Sequence, residues 1–372
     1  SVTNALAVIQ SYSPWRPSAG VTESGLTIKD LENSDLTYEK KHELNIGADL
    51  GFLDNRINLT VDWYKRDNFD LIGRVMTQGI GGQIQKYGNV ATMKSRGIEF
   101  SLSTKNIKTK DFSWTTDFIY SHMKNEVTKF NTSTRAFNLV SGIGFSREGY
   151  PVNSLFSYDF RGLNEDGVPT FINEAGVLTS TDINFQETER FDNLVYSGPS
   201  EPTDVGSFGN IFQYKGLRLN VFITYSFGNV VRLDPVFSSI YNDLDAMPRE
   251  FRNRWMTPGD ERYTDVPAIV SSRQVRNDSK LSYAYNAYNY STARIAKGDF
   301  IRMKEISLTY DFPKRWIKKL RMSNLALKIQ ATNLFLIYAD KKLNGQDPEF
   351  FNSGGVATPV PKQFTLTLKI GL

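Results

Sequence analysis

The chain has 372 residues, 40% hydrophobic and 13% aromatic, with a formal net charge of +4 and no cysteine. That composition excludes disulfides, thiolate metal centres and cysteine nucleophiles, and with no dense basic run it argues against nucleic acid as a partner. No stretch approaches the ~18 consecutive apolar residues of a spanning helix. A mean hydropathy of −0.38 still fits a β-barrel, whose strands show lipid only at every second side chain.

Ser1 to Gly20 lacks a basic start followed by an apolar core, so no signal peptide opens the sequence. An exported protein with this sequence is expected to have its true N-terminus upstream. Residues 1–40 are expected to form an extracellular segment, and residues 41–372 a portion of barrel wall. Nine principal strands are predicted from period-two alternation. In residues 41–52, Leu44, Ile46, Ala48, Leu50 and Phe52 oppose Asn45, Gly47, Asp49 and Gly51. Residues 56–67 set Ile57, Leu59, Val61 and Trp63 against Asn58, Thr60, Asp62 and Tyr64. Residues 94–104 and 112–122 follow, then a Gly-rich segment at 205–214. Residues 217–227 alternate most clearly, with Leu217, Leu219, Val221, Ile223, Tyr225 and Phe227 on one side. Residues 299–311, 322–334 and 362–372 complete the set. In the last, Phe364, Leu366, Leu368 and Ile370 face Thr365, Thr367 and Lys369.

Short links (53–55, 105–111, 215–216, 312–321) alternate with long ones (68–93, 123–204, 228–298, 335–361). Outer-membrane barrels have short periplasmic turns and long extracellular loops, whereas compact soluble domains rarely carry several structureless loops beyond ~15 residues. The long links must therefore hold substructure. An extra hairpin is expected from Phe137–Phe145 and Leu155–Phe160, and a short helix over Ile240–Trp255. Nine strands with open edges in lipid cannot close alone, so the chain is expected to be the C-terminal part of a larger cylinder.

Several segments then stand out: Asn33–Lys40 with Asn45–Asp49, Asp62–Arg66 with Asp70-Leu71-Ile72, Gly88-Asn89-Val90 and Arg96–Glu99. Further on come Arg161–Pro169, Arg254–Asp260, Phe300–Tyr310, Asn333-Leu334-Phe335, Gly345–Glu349 and Pro359-Val360-Pro361. In this order, over residues 33–372, they resemble the C-terminal barrel region of SusC/RagA-like TonB-dependent outer-membrane transporters of Bacteroidetes, with Leu372 departing from the usual terminal Phe. The resemblance implies an antiparallel transmembrane β-barrel of roughly 22 strands with a plugged lumen, of which this sequence would supply nine. It also implies a cell outer membrane location in a Gram-negative bacterium, a SusD-like lipoprotein lid and a TonB complex acting through an upstream plug. Cargo would be an oligosaccharide or peptide, with no cofactor and no catalytic residue.

Site candidates follow from residue type. Tyr283, Tyr285, Tyr288 and Tyr290 form an aromatic stretch in a long outer loop, suited to stack on sugar rings or apolar peptide side chains. Packing against neighbouring loops is the alternative, and the same pair of readings applies to Trp255 and Arg254. Trp63, Trp114, Tyr225 and Phe227 are expected at the lipid interface. Lys314, Arg315, Lys318, Lys319 and Arg321 cluster in one periplasmic link, where a solvated turn competes with headgroup contact. Trp15 and Trp316 fall in connections. Asn164-Glu165-Asp166-Gly167 reads as a tight turn with Gly167 at positive φ rather than a calcium loop. His42 and His122 lack a second histidine at ligand spacing. Ser121 and Lys124 have the S-x-x-K spacing, but three apart on a strand they face opposite ways. Active import is the leading expectation. A secreted or surface β-rich binding or structural protein is the alternative, and detergent dependence with heat-modifiable gel migration separates the two.

Overall fold

A computed structural model describes residues 7–12, 25–79, 84–132, 134–141, 144–235, 249–319, 322–351 and 361–371. Its main feature is a nine-stranded antiparallel sheet. The strands are β1 (Lys40–Phe52), β2 (Ile57–Met76), β3 (Gln85–Lys108), β4 (Phe112–Phe130), β5 (Asp204–Tyr214), β6 (Leu217–Phe227), β7 (Phe300–Asp311), β8 (Asn324–Ala339) and β9 (Gln363–Gly371). Each pairs with its sequence neighbour, so the sheet is an unbroken meander. All nine lie where alternation predicts them.

The register turns alternation on single strands into continuous faces. Leu50, Leu59, Leu102, Phe118, Phe208, Ile223, Met303 and Phe335 are successive cross-strand partners from β1 to β8. Phe212, Leu219, Leu308, Ile329 and Leu366 carry a second apolar row through to β9. The opposite face is polar: Asn220, Ser307, Gln330 and Thr365 form one row. There Glu305 accepts hydrogen bonds from Asn220 Nδ2 (3.2 Å) and Gln330 Nε2 (3.1 Å). The apolar face is bare, with Phe364 and Leu366 at 73% and 70% exposure. Val221, Ile223 and Tyr225 belong to none of the buried core clusters. An apolar face this continuous is not compatible with water.

β2, β3 and β4 run well past their predicted ends, to residues 76, 85 and 130. The ladder continues there although alternation fades. A side chain beyond the bilayer has no lipid face to match, so the two-residue period disappears while the backbone pairing persists. Asp70, at φ 56°, sits in the bulge that bends β2 at this point.

The core lies in the long connections, which pack into a cap against the polar face. Ser154–Tyr158 pairs with Leu194–Pro199, and Val230–Arg232 with Ile295–Lys297. Leu139, Val140, Phe156, Tyr158, Phe171 and Tyr288 are all nearly inaccessible in one cluster. Of the expected hairpin between 137–145 and 155–160, a single antiparallel bridge forms, from Phe145 to Ser154, and the rest is corrected. Ala136–Val140 is a helical turn, and Ser154–Tyr158 takes its partner from about forty residues downstream. Of the helix expected over Ile240–Trp255, residues 240–248 lie outside the described residues, and Arg249–Asn253 is a 3-10 turn. Trp15, Arg321 and Leu372 also lie outside them. In the segment expected as an extracellular stretch, Val8–Tyr12 pairs with Gly25–Asp30.

Two glycines allow tyrosines to lie across the sheet. A Cβ on Gly97 would stand 2.5 Å from the Tyr64 ring and 2.7 Å from the His122 carbonyl. On the other face Tyr225 crosses Gly206, and its hydroxyl donates to Ile119 O at 3.0 Å. Gly209 has no such neighbour, its nearest contact being 3.4 Å. Gly97→Ala is expected to cost about 1–3 kcal/mol through overpacking and to lower the temperature of heat-modifiable gel migration. Gly209→Ala is expected to leave that temperature within error of the parent.

Candidate functional site at the mouth of the wall

The mouth is the region where cap and polar face meet. A cleft of about 460 Å³ opens there, lined by Asn153, Glu201, Ser226, Asn229, Phe300 and Glu349 among others. Its walls mix amides, carboxylates and aromatic rings, the residue types that hold polar ligands through hydrogen bonds and stacking. The meander fixes it from below through β6 and β7. The cap fixes it from above, and Val152 N donating to Asn125 Oδ1 at 2.8 Å ties the cap to β4.

The predicted tyrosines separate by helical phase. Leu281–Asn289 is a helix, and positions three or four apart share a face. Ala284, Tyr285 and Tyr288 turn inward, and the two tyrosines are 1% and 2% exposed. Tyr285 donates to Ala268 O at 2.7 Å, and burial raises the Tyr288 phenol well above its ordinary range. Both pack into the cap's buried clusters. Tyr283 is 49% exposed. Tyr290 is half-buried, with Phe137 edge-on and the Arg232 guanidinium 5.7 Å over its ring. Leu281, Ala284, Tyr285 and Tyr288 follow a 3.6-residue period, so the inward face was legible in the sequence.

Trp255 and Arg254 are half-buried as well. Trp255 lies on Gly167, where a Cβ would meet its ring at 2.5 Å. Its indole donates to Glu261 Oε2 at 3.1 Å. Glu261's own amide, the indole and the Gly259 amide hold that carboxyl below the usual carboxylate range. Arg254 donates to Phe251 O at 3.2 Å, closing the 3-10 turn. Gly167 has φ 72° in a turn where Asn164 Oδ1 accepts from the amides of Asp166 and Val168. The tight-turn reading of that segment holds.

Three buried arginines, which sequence reasoning did not single out as site residues, organise the mouth. Arg302 on β7 pairs with Asp347, and its Nε lies 2.9 Å from Glu349 Oε2, near enough for an ion pair though not aligned as a hydrogen bond. Arg294 pairs with Glu250 and donates to Asp234 O at 2.6 Å. Arg232 donates to Phe156 O at 2.7 Å and to Ser157 Oγ at 3.2 Å. No carboxylate pairs with it among the described residues, and burial pushes its pKa down to about 10. Sequence signals existed for Arg302 and Asp347, since both lie in segments that carry the family resemblance.

The remaining candidates are placed by the register. Trp63 shares a row with Ile98, His122 and Asp204 near the long-loop end of the wall. Trp114 lies near the short-turn end, donates to Asn210 Oδ1 at 2.8 Å and stacks on Phe212. Tyr225 and Phe227 are back at the long-loop end, 5.8 Å apart. His122 Nδ1 is 2.8 Å from Asp204 Oδ1, and His42 meets the Phe69 ring edge-on. Ser121 pairs with Glu99 and Lys124 with Arg96, on opposite faces. Lys314–Lys319 forms a helical turn in the link between β7 and β8. Asn220, Thr224, Gln330 and Thr367 all lie in the polar rows.

A sheet with one apolar face, one polar face and a loop cap over the polar one defines the wall of an outer-membrane β-barrel with a partly covered mouth. The family described as TonB dependent receptor-like, beta-barrel matches residues 7–334, and the chain belongs to that family. The chain is 27% identical over 357 residues to the TonB-dependent receptor SusC of Bacteroides thetaiotaomicron, covering 91% of this chain and 32% of that protein. It is 26% identical over 344 residues to TonB-dependent receptor P3 of Formosa agariphila, covering 88% and 32%. Among solved structures, the RagAB peptide transporter superposes over 99% of this chain and 39% of its own, with TM-score 0.77 and 24% identity. The chain thus spans about a third of the length of the curated relatives it matches. It is an outer-membrane protein of the SusC/RagA-like kind, from a family of transporters.

Arg302→Ala is expected to leave Asp347 buried without a counter-charge, a change that costs about 3–5 kcal/mol. The loss should be local: hydrogen exchange over residues 340–351 is expected to quicken, while β7 and β8 keep their protection.

Proposed function

We propose that this chain forms the mouth-bearing part of a TonB-dependent importer of bulky nutrients, either oligosaccharides or peptides. In this reading it is the C-terminal portion of a larger barrel, with residues 1–40 on the extracellular side. The remaining strands and a plug come from elsewhere in the whole protein, and the TonB complex acts through that plug. A SusD-like surface lipoprotein covers the mouth, and no covalent chemistry takes place. One observation carries it: the long connections fold into a rigid cap over the polar face while the opposite face stays apolar. A cargo too large for an open pore needs many weak contacts, and the cap and cleft offer amides, carboxylates and rings for them. Tyr283, exposed on the cap, is the best placed of the tyrosines to touch cargo or lid. The bare rows of β8 and β9 weigh against a secreted β-rich protein.

Import is tested in cells carrying the whole transporter and lacking other uptake routes. Accumulation of labelled oligosaccharide or peptide is expected to require TonB. Uptake that persists without TonB overturns the reading.

The same reading puts Trp63, Tyr225 and Phe227 at the outer interface and Trp114 at the periplasmic one. In the whole transporter carrying only Trp63 or only Trp114, lipids brominated near the headgroup are expected to quench fluorescence strongly, and lipids brominated near the chain ends weakly. The reverse order would remove both residues from the interface.

A further inference from the structure

We propose that the apolar face of the wall carries a binding site for the phosphate-bearing headgroup of an outer-leaflet lipid, built by Lys65, Arg96 and Lys124. Lys65 on β2 is the direct cross-strand partner of Arg96 on β3, and Arg96 is the partner of Lys124 on β4. Three cations therefore occupy one register row on three adjacent strands. All three point away from the cap, because Trp63, Ile98 and His122, two residues along each strand, lie on the apolar face. All three are exposed, and none has an ion pair among the described residues. Like charges directly opposite across a ladder repel, so an anion seated over the row relieves repulsion that Asp67 and Glu126, one row further out, offset only in part.

The neighbouring charges sharpen this. In the next row outward, Asp67, Lys94 and Glu126 are successive partners. That row alternates in sign and carries one net negative charge, whereas the row of Lys65, Arg96 and Lys124 carries three positive ones. At its other end stands Leu44, so no carboxylate closes it. The row and Lys94 line a cleft of about 390 Å³ together with Trp63 and one carboxylate, Glu126, so four cations face a single anion there.

Height places the cleft at a headgroup level. Lys124 stands twelve residues beyond Phe112, the first residue of β4. At about 3.3 Å per residue and a tilt near 40°, that is roughly 30 Å above the short-turn end. The apolar band of such a wall is about 25 Å tall. The row thus emerges just past the hydrocarbon, with a tryptophan directly beneath it. Phosphate oxygens suit this geometry, since Arg96 offers a fork of donors and the two lysines offer mobile point charges. A lipid brings its phosphate to this height by the insertion of its own chains.

The whole transporter and its Lys65→Gln/Arg96→Gln/Lys124→Gln variant are reconstituted in phosphatidylcholine nanodiscs, with or without about one-fifth phosphatidic acid as the probe. Native mass spectrometry then counts the phosphatidic acid retained by each protein across a titration. Each basic side chain near an anionic surface contributes about a fivefold factor, so the triple variant is expected to bind about 100-fold more weakly. The three single variants are expected to lose about fivefold each, which keeps the test valid if the triple folds poorly. Lys65→Arg/Lys124→Arg is expected to retain lipid like the parent. Equal retention by parent, single and triple variants overturns the proposal. Displacement of the bound lipid by inorganic pyrophosphate in solution, at matched concentration, also overturns it and marks a site for soluble phosphates.

Discussion

Sideways pairing of the backbone is the constraint from which the rest of this structure follows. Hydrocarbon offers no partner to an amide or a carbonyl, and each one left open there costs several kcal/mol. Every wall strand from β2 to β8 answers this by pairing on both sides. Once the ladder is fixed, side chains can only alternate, and the register decides which of them share a face. That is why Leu50 on β1 and Phe335 on β8, far apart in sequence, belong to one apolar row. β1 and β9 each have a single neighbour, and their open edges call for further strands in a closed cylinder.

The cap obeys a different rule. It sits in water, so its stability comes from burial, and its aromatic cluster around Phe156, Tyr158, Phe171 and Tyr288 is as closed as the interior of a small soluble domain. Among the described residues the wall has no comparable core. Two solvents therefore act on one chain: lipid orders the outer face of the sheet, and water drives the cap together on the inner face. The polar rows between them bond to one another, with Glu305 accepting from Asn220 and Gln330.

The sequence was legible wherever one solvent met each side of a strand. β6 was bounded to the residue, because Leu217 to Phe227 alternate between lipid and lumen along their whole length. β2 was cut short at 67, because beyond it both faces are wet and the bulge at Asp70 shifts the phase. In the cap, Tyr285 and Tyr288 looked like a surface stretch only when their helical period was left out. The buried arginines were harder to see. Arg232 takes Phe156 and Ser157 as partners, and nothing local in sequence announces such distant contacts.

The motifs that carry the family likeness meet one another in space. Arg302, within one motif, holds Asp347 and Glu349 of another. Gly167 in the Arg161–Pro169 segment lies under Trp255 of the Arg254–Asp260 segment. Asn89 Oδ1 accepts from Thr37 N at 2.8 Å, while its amide donates to Thr37 O and Asp70 O. Glu39 Oε1 accepts from Ile72 N at 2.9 Å, and Lys40 pairs with Asp70 at 2.8 Å. Each of these pairs is a clamp that ties a long connection to the wall or to another connection. Such residues are held in place by one another. On the import reading proposed above, selectivity for cargo resides in the side chains these clamps leave free, such as Tyr283 on the exposed face of its helix, and those are the positions that family-level sequence likeness reads least well.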